Sequence, residues 1–202
     1  MGSFTVAINA GGQSSRMGTD KAFVLLAERP MIAHVLERVS NLGQDETILI
    51  TNRPNDYAQF SLPMFADVLP GNGALGGIYT ALHYSKHEYT LMLACDMPFV
   101  NSALLNHMLR LRSEEMGPYD VIVPLVNDYP EGLHAIYRKS CLSPIQERLE
   151  ANRLKVIGFY DQVRVRYLTA PEYSRFDPQE LSFRNINTPD ELASAQPPAG
   201  EA

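Results

Sequence analysis

"AINAGGQSSRMGTDK", residues Ala7 to Lys21, follows directly on a short β-rich run and decides how the rest of the chain is interpreted. Glycine lets the backbone adopt positive φ and lets a ligand approach the peptide N–H groups, which together can form an anion-binding nest. Arg16 adds a planar guanidinium and Lys21 a mobile point charge, both suited to phosphate. The stretch predicts a phosphate-binding loop; a flexible surface loop with two incidental positive charges is the alternative.

The loop matches neither of the two common phosphate-binding motifs. A P-loop needs Gly-Lys-Ser/Thr five residues after its first glycine, but Met17 stands five residues after Gly12. A dinucleotide-binding fingerprint needs G-x-G-x-x-G, but position 13 is Gln13. Any assignment therefore depends on the whole string.

Composition narrows the class of protein. The chain has 202 residues, 45% apolar and 20% charged, with a formal charge of −6, which is typical of a globular domain and argues against nucleic acid or an anionic membrane as the main partner. No apolar run approaches the ~20 residues of a membrane span, and the N-terminus lacks a secretory pattern, so we expect a cytoplasmic protein. Cys95 and Cys141 are expected to be buried free thiols in a reducing compartment.

Strand-like and helix-like segments alternate along the chain, as expected for βαβ crossovers and a mostly parallel sheet between helical layers. We expect one domain over residues 1–195, a last helix near "NTPDEL" and a disordered tail at 196–202. The predicted strands are 4–9, 46–51, 89–95, 119–126 and 132–138, and the predicted helices are 30–42, 75–87 and 101–115.

A second candidate group lies in "LMLACDMPFV", an apolar run that ends at Asp96. Pro98 stops the strand and leaves the acid at the carboxyl edge of the sheet, where open α/β sheets bind their ligands. Magnesium is usually held by one or two carboxylates plus substrate phosphates, so Asp96 is a candidate metal ligand. A turn or helix-capping role is the alternative.

"AGGQSSRMGTDK" resembles the signature A-G-G-x-S-x-R-M-G-x-D-K of the molybdenum cofactor guanylyltransferases, members of the nucleotidyltransferase superfamily. The likeness continues through "RPMIAHVLERV", "TNR", "DVLPGNGALGGIYTAL", "LMLACDMPFV" and "NINTPDEL", and so covers nearly the whole chain. It implies a Rossmann-like three-layer α/β/α fold and Mg²⁺-dependent transfer of GMP from GTP to the terminal phosphate of molybdopterin, the organic part of the molybdenum cofactor. The alternatives are a cytidylyl- or other nucleotidyltransferase with a different phosphate acceptor and a non-catalytic nucleotide-binding regulatory module.

The resemblance also implies residue roles. Arg16, Lys21 and Asp96 would be catalytic, with Asp96 holding Mg²⁺. Asp20 also matches the signature, but an acid at this position could simply orient Lys21. Besides GTP and molybdopterin, the resemblance is compatible with partners among other proteins of cofactor biosynthesis or molybdoenzyme maturation, and with neither nucleic acid nor membrane. The implied nucleotide-binding residues are Asn9, Ala10, Gly11, Gly12, Ser14, Lys21, Asn52, Asp67, Gly73 and Asp96.

Three segments depart from the family pattern. Asn9 replaces a usual leucine, and "GNGALGG" replaces P-G-P-L-A-G, so that Asn72 and Ala74 stand at two proline positions. "PEGLHAIY" lacks the usual His-Pro or Gln-Pro and brings Glu131 toward the acceptor. The adjacent glycines at 11 and 12 resemble the guanylyl branch, since cytidylyl relatives tend to carry alanine first.

Several residues have two interpretations. Gly71 and Gly73 are expected to shape a turn. Glycines 76 and 77 either open the following helix toward a ligand or allow close helix packing. His34 is expected to pack at the edge of the core, and His134 to point toward the second-substrate pocket.

Overall fold

The computed structural model describes residues 3–11, 20–112, 118–186, 188 and 191–192. The described strands are β1 (Phe4–Asn9), β2 (Leu25–Leu26), β3 (Arg29–Pro30), β4 (Glu46–Ile50), β5 (Met64–Phe65), β6 (Tyr89–Ala94), β7 (Val121–Val126), β8 (Tyr129–Pro130), β9 (His134–Arg138) and β10 (Val165–Leu168). The α-helices are α1 (Met31–Val39), α2 (Gly73–Tyr84), α3 (Ser102–Leu111), α4 (Leu142–Glu150) and α5 (Ala170–Tyr173). Short 3-10 helices span Lys21–Phe23, Pro54–Phe60, Lys139–Cys141, Val156–Gln162 and Leu181–Phe183.

The central sheet has the strand order β10-β7-β9-β6-β1-β4-β5, with β8 paired to the end of β7. The pairs β6–β1, β1–β4, β4–β5 and β7–β10 are parallel, whereas β9 runs antiparallel to both of its neighbours. The α/β class with a mostly parallel sheet, predicted from the sequence, is confirmed. The reversed strand is important for the site, because β9 begins at the edge where its neighbour β6 ends.

Two apolar layers cover the sheet, because successive side chains of a strand point to opposite faces. Val6 and Ile8 of β1 pack on the side of α1 and α3, while Ala7 packs on the side of α2 and α4. All three side chains are fully buried. The result is the expected three-layer α/β/α arrangement.

Some predicted boundaries were wrong by a few residues. Pro30 does not begin α1; its ψ of 140° is extended, and the helix begins at Met31. Helix α2 begins at Gly73 rather than residue 75, and ends at Tyr84 because Ser85 turns to extended backbone with ψ 136°. Asn101 caps α3, accepting from the N–H groups of residues 103 and 104.

The expectation that both thiols are buried was wrong for one of them. Cys141 is buried, whereas Cys95 is only partly so, because it follows β6 at the open edge of the sheet. Among the described residues no helix is long and apolar enough to cross a bilayer. The tail predicted to be disordered, 196–202, lies outside the described residues.

Candidate active site

The carboxyl ends of the parallel strands β1, β4 and β6 meet at one edge of the sheet. Asn9 is the last residue of β1, and Asn52 and Asp96 lie in the loops that follow β4 and β6, so residues far apart in sequence meet here. The start of β9 reaches the same edge, and its neighbour Leu133 accepts a hydrogen bond from Ala94 N at 3.0 Å. Segments from both halves of the chain are thus brought together at the edge where open α/β sheets bind their ligands.

A cavity of about 420 Å³ opens at this edge. Five of the predicted nucleotide-binding residues line it, and Ala10 does not; the backbone N–H of this buried alanine instead donates to the carbonyl of Ile50 at 2.9 Å. The lining residues are Asn9, Gly11, Asn52, Asp67, Gly71, Gly73, Ala74 and Leu133.

The polar groups of this cavity hold one another in place. Asn52 donates to Asp67 Oδ2 at 2.9 Å and accepts from the Asp67 backbone N–H at 3.0 Å. The other carboxylate oxygen, Oδ1, is buried without a hydrogen-bond partner among the described residues. A buried acceptor without a donor is costly, so this oxygen is an unusual feature of the cavity wall.

The glycine-rich turn before α2 forms the wall opposite. Gly71 and Gly73 have φ of 85° and 57°, a left-handed backbone that favours glycine, so the predicted turn is confirmed. Gly77 faces the protein rather than the ligand, since a Cβ there would lie 2.9 Å from Asn9 Oδ1. A Cβ on Gly76 would lie 2.9 Å from the Asn72 Cβ. Both helical glycines therefore leave room for neighbouring groups of the protein, β1 in one case and the turn before α2 in the other, and neither close contact is with a second helix.

Asp96 and Lys21 form the charged pair of the site. The Lys21 Nζ lies 3.7 Å from Asp96 Oδ2, and both side chains are mostly buried, with exposed fractions of 23% and 19%. Burial raises the pKa of the Asp96 carboxyl, and the lysine cation partly opposes this shift. Two of the three residues predicted to be catalytic are therefore in contact.

Asp20 fixes the backbone just before this lysine. Its carboxylate caps the 3-10 helix that begins at Lys21, accepting from Ala22 N at 3.1 Å, and it also pairs with the Arg53 guanidinium. The hydroxyl of Tyr57 donates to Asp20 Oδ2 at 2.6 Å. Of the two roles left open for Asp20, the structure supports the orienting one. Neither Arg53 nor Tyr57 was assigned a role from the sequence, because their contacts with Asp20 span more than thirty positions and arise only on folding.

Removing the Tyr57 hydroxyl is expected to destabilise the fold. Tyr57 is fully buried, and Tyr57→Phe deletes a hydrogen bond to a charged acceptor, a loss of about 1.5–3 kcal/mol in the free energy of unfolding. Urea denaturation measures the effect. Tyr84→Phe is the control, because Tyr84 is 39% exposed and keeps its ring stacking on Phe65. Equal stability of the two variants would contradict the anchoring role of Tyr57.

A second cavity of about 330 Å³ adjoins the first and shares Ala74 and Leu133 with it. Its wall is mainly apolar, but four polar side chains face it: Asp96, Glu131, Lys155 and Asn185. Lys155 and Asn185 were missed by sequence reasoning, since they come from distant segments. Asp96 thus lies on the wall of the second cavity and contacts the lysine next to the glycine-rich loop.

His134 does not point toward this cavity. It is fully buried, lies on the same face of β9 as Ile136, and its ring meets that of Phe183 edge-on at 5.1 Å between centroids. Burial lowers the pKa of His134 to about 4, so the imidazole is neutral at physiological pH. His34 occupies the predicted rim position, with Nε2 2.8 Å from the carbonyl oxygen of Leu26.

Three predicted site residues, Gly12, Ser14 and Arg16, lie outside the described residues. Among the described ones, no three His, Cys, Asp or Glu side chains gather into a metal-binding cluster. The mostly buried Asp96 carboxylate beside Lys21 nevertheless fits the usual mode of magnesium binding, in which substrate phosphates supply further oxygens.

Comparison with known proteins agrees with this geometry. The family model described as "MobA-like NTP transferase domain" matches residues 6–163. The chain belongs to the MobA-like NTP transferase family. It is 34% identical to the molybdenum cofactor guanylyltransferase of Desulfosudis oleivorans over 197 residues, which cover 97% of this chain and 96% of the relative. A probable molybdenum cofactor guanylyltransferase of Peptoclostridium acidaminophilum is also 34% identical over 188 residues, covering 92% of this chain and 85% of the relative.

Solved structures of this family and its neighbours share the fold. Molybdopterin-guanine dinucleotide biosynthesis protein A from Archaeoglobus fulgidus superposes with a TM-score of 0.81 at 30% identity, covering 95% of this chain and 96% of its own. A 4-diphosphocytidyl-2C-methyl-D-erythritol synthase from Anaerococcus prevotii gives 0.68 at 15% identity, covering 96% and 94%, and shows the fold alone. This MobA-like chain is a nucleotidyltransferase of molybdenum cofactor biosynthesis.

Proposed function

We propose that the protein transfers the GMP group of GTP to the terminal phosphate of molybdopterin, with Mg²⁺ as cofactor and pyrophosphate as the second product. One observation carries the proposal: two adjoining cavities share a wall, and the Lys21–Asp96 pair stands beside them. The first cavity is taken to hold the nucleoside and the second the acceptor. The names of the relatives support guanylyl transfer.

In this mechanism no side chain is a covalent nucleophile. An oxygen of the acceptor phosphate attacks the α-phosphorus of GTP, a new P–O bond forms, and the bond to the β-phosphate breaks. The electron pair leaves with pyrophosphate. Catalysis then consists of positioning and electrostatic stabilisation. The loop over residues 10–18 would hold the triphosphate, and Arg16 of this loop together with Lys21 would offset the charge that develops on the leaving group.

Asp96 would hold Mg²⁺ against the α-phosphate, where a bound magnesium ion neutralises phosphate charge. The ion pair keeps Lys21 close to the same phosphate, and the Asp20–Tyr57 contact fixes the backbone from which the lysine extends. The direct test supplies purified molybdopterin and GTP to the protein and follows pyrophosphate release. If pyrophosphate were released with another phosphate compound but not with molybdopterin, the assignment of molybdopterin as the acceptor would be wrong.

GTP is expected to bind roughly a hundredfold more tightly than CTP. The unpartnered Asp67 Oδ1 can accept from the N1–H and 2-amino group of guanine, whereas cytosine presents a different edge to the same wall. Each buried group left unpaired costs about 1–3 kcal/mol, and 1.4 kcal/mol is a tenfold change in affinity. Titration with GTP, CTP and ATP in magnesium measures the preference.

Asp67→Asn is the informative companion variant, because its amide replaces one acceptor oxygen with a donor. It should reduce the ratio of the affinity for GTP to the affinity for CTP without changing the Lys21–Asp96 pair at the sheet edge. If the unmodified protein bound GTP and CTP equally well, or bound CTP more tightly, the guanylyl assignment would be wrong. Nucleotidyl transfer would remain the function of the protein.

A further inference from the structure

The second cavity contains a carboxylate with no role in the mechanism above. Glu131 is half-buried and lines this cavity, and within the described residues its side chain has neither an ion-pair partner nor a hydrogen bond. Its backbone is firmly held: Glu131 N donates to Pro124 O at 3.0 Å, and Glu131 O accepts from His134 N at 2.9 Å. The fold therefore anchors the backbone from which this carboxylate enters the cavity.

A second acceptor in the same cavity also lacks a donor. Asn185 Oδ1 is buried without a hydrogen-bond partner among the described residues, and Asn185 lines the cavity with Glu131. Burial raises the pKa of the Glu131 carboxyl. Unpaired acceptors in a partly desolvated wall are costly, and a ligand rich in N–H donors would satisfy them.

The acceptor substrate has two chemically different ends. Its phosphate must reach the α-phosphorus near Asp96, and a carboxylate such as Glu131 would repel it. Its pterin carries a 2-amino-4-oxo-pyrimidine ring, whose N3–H and 2-amino group are adjacent donors on one edge. Two parallel N–H bonds to one carboxylate are strong and directional, because the acceptor is charged.

We propose that Glu131 binds the N3–H and 2-amino edge of the acceptor's pterin ring and thereby selects a 2-amino-4-oxo heterocycle. The inference rests on the proposed function for the identity of the acceptor. The exposed ring of Tyr129, 64% accessible at the mouth of the same cavity, offers a face on which a planar heterocycle can pack. In this proposal, the Glu131 carboxylate in "PEGL", where the sequence departs from the family pattern, recognises the pterin ring and does not face the phosphate of the acceptor.

The test compares two pteridines that differ at a single position. Pterin carries a 2-amino group, whereas lumazine carries a 2-oxo group, which would set an oxygen against the carboxylate. Their intrinsic fluorescence allows titration of the full chain at saturating GTP and Mg²⁺, which fills the nucleotide cavity; neither probe carries a phosphate that could react. We expect pterin to bind at least about tenfold more tightly than lumazine.

Glu131→Gln should abolish this preference, because the amide keeps the shape but loses the charge and one acceptor. Asp128→Asn is the matched control: it removes a charge from an exposed turn position three residues away, with φ of 63°, which asparagine tolerates. Folding is checked by thermal unfolding. Glu131→Gln should melt at or above the temperature of the unmodified protein at pH 7, since the raised pKa means that the ionised carboxyl costs stability there.

Failure of this inference can be told apart from failure of guanylyl transfer. Loss of the pterin preference in Glu131→Gln supports the inference, even if no pyrophosphate is released with molybdopterin. Absent pterin binding, equal binding of the two probes, or a preference that survives Glu131→Gln overturns it. In the transfer assay, Glu131→Gln should raise the KM for the acceptor at least about tenfold and leave the KM for GTP unchanged; an unchanged acceptor KM also overturns it.

Discussion

Asp96→Asn is expected to lower the rate of pyrophosphate release by about a thousandfold, roughly 4 kcal/mol of transition-state stabilisation. Asp96 is the carboxylate at the end of β6 that contacts Lys21 and fits a magnesium ion. An amide oxygen can still ligate the ion but brings no charge, which weakens the hold on the triphosphate. Pyrophosphate release measured over a range of magnesium concentrations should show the largest loss at limiting metal.

The same substitution is not expected to destabilise the fold. Burial raises the pKa of Asp96, so its ionised form costs folding free energy at neutral pH, and the isosteric amide avoids that cost. The ion pair that is lost is partly exposed and worth at most about 1 kcal/mol. The melting temperature should therefore stay nearly unchanged.

Asp161→Asn serves as the matched control, because Asp161 is exposed and lies outside both cavities. It should keep full activity. If Asp96→Asn retained wild-type activity at limiting magnesium, Asp96 would have no part in the metal site.

The strands of the sheet's centre were predictable, because their signal is local. "FTVAIN" and "YTLMLA" are mainly apolar runs, and the structure makes them β1 and β6. Helix α4 was missed. Its segment "LSPIQERLE" contains a proline and buries only Ile145 and Leu149, so it carries little helical periodicity. Proline is tolerated there because it lies in the first turn.

In the candidate site, too, residues with a local sequence signal were predictable and contacts between distant segments were not. Residues within a recognisable string, such as Lys21 and Asp96, were named in advance, and the structure brings them together. The anchor Tyr57 was not, because it meets Asp20 across 37 positions and only folding creates that contact. The error on His134 has a simple cause. Residues alternate between the two faces of a strand, and a short strand with apolar residues on both faces does not show which of its side chains lie on which face.

Lys21→Ala is expected to slow pyrophosphate release about a hundredfold, or on the order of 3 kcal/mol, while the protein folds normally. The lysine begins a 3-10 helix whose backbone is capped by Asp20, and its loss leaves that cap intact. Its cation would face the leaving pyrophosphate and the metal-bound α-phosphate. The effect should therefore appear mainly in kcat, because the charge is most needed where negative charge develops.

The pH profile separates this role from a purely structural one. The Lys21 cation lowers the pKa of Asp96 and opposes the rise that burial causes. Lys21→Ala removes that opposition, so the pKa of Asp96 rises further. Because the carboxylate must be ionised to act, the acid limb of the rate profile should move to higher pH. Lys21→Arg keeps the charge and should keep the limb near its original position.

Lys86→Ala is the matched control for this lysine. Lys86 also pairs with a carboxylate, Glu46, at 3.1 Å, but at the amino ends of the strands, away from both cavities. Its removal should leave both the rate and the acid limb unchanged. A Lys21→Ala variant that behaved like Lys86→Ala would show that the charge beside Asp96 has no part in the transfer, and the electrostatic mechanism would then have to rely on other groups of the glycine-rich loop.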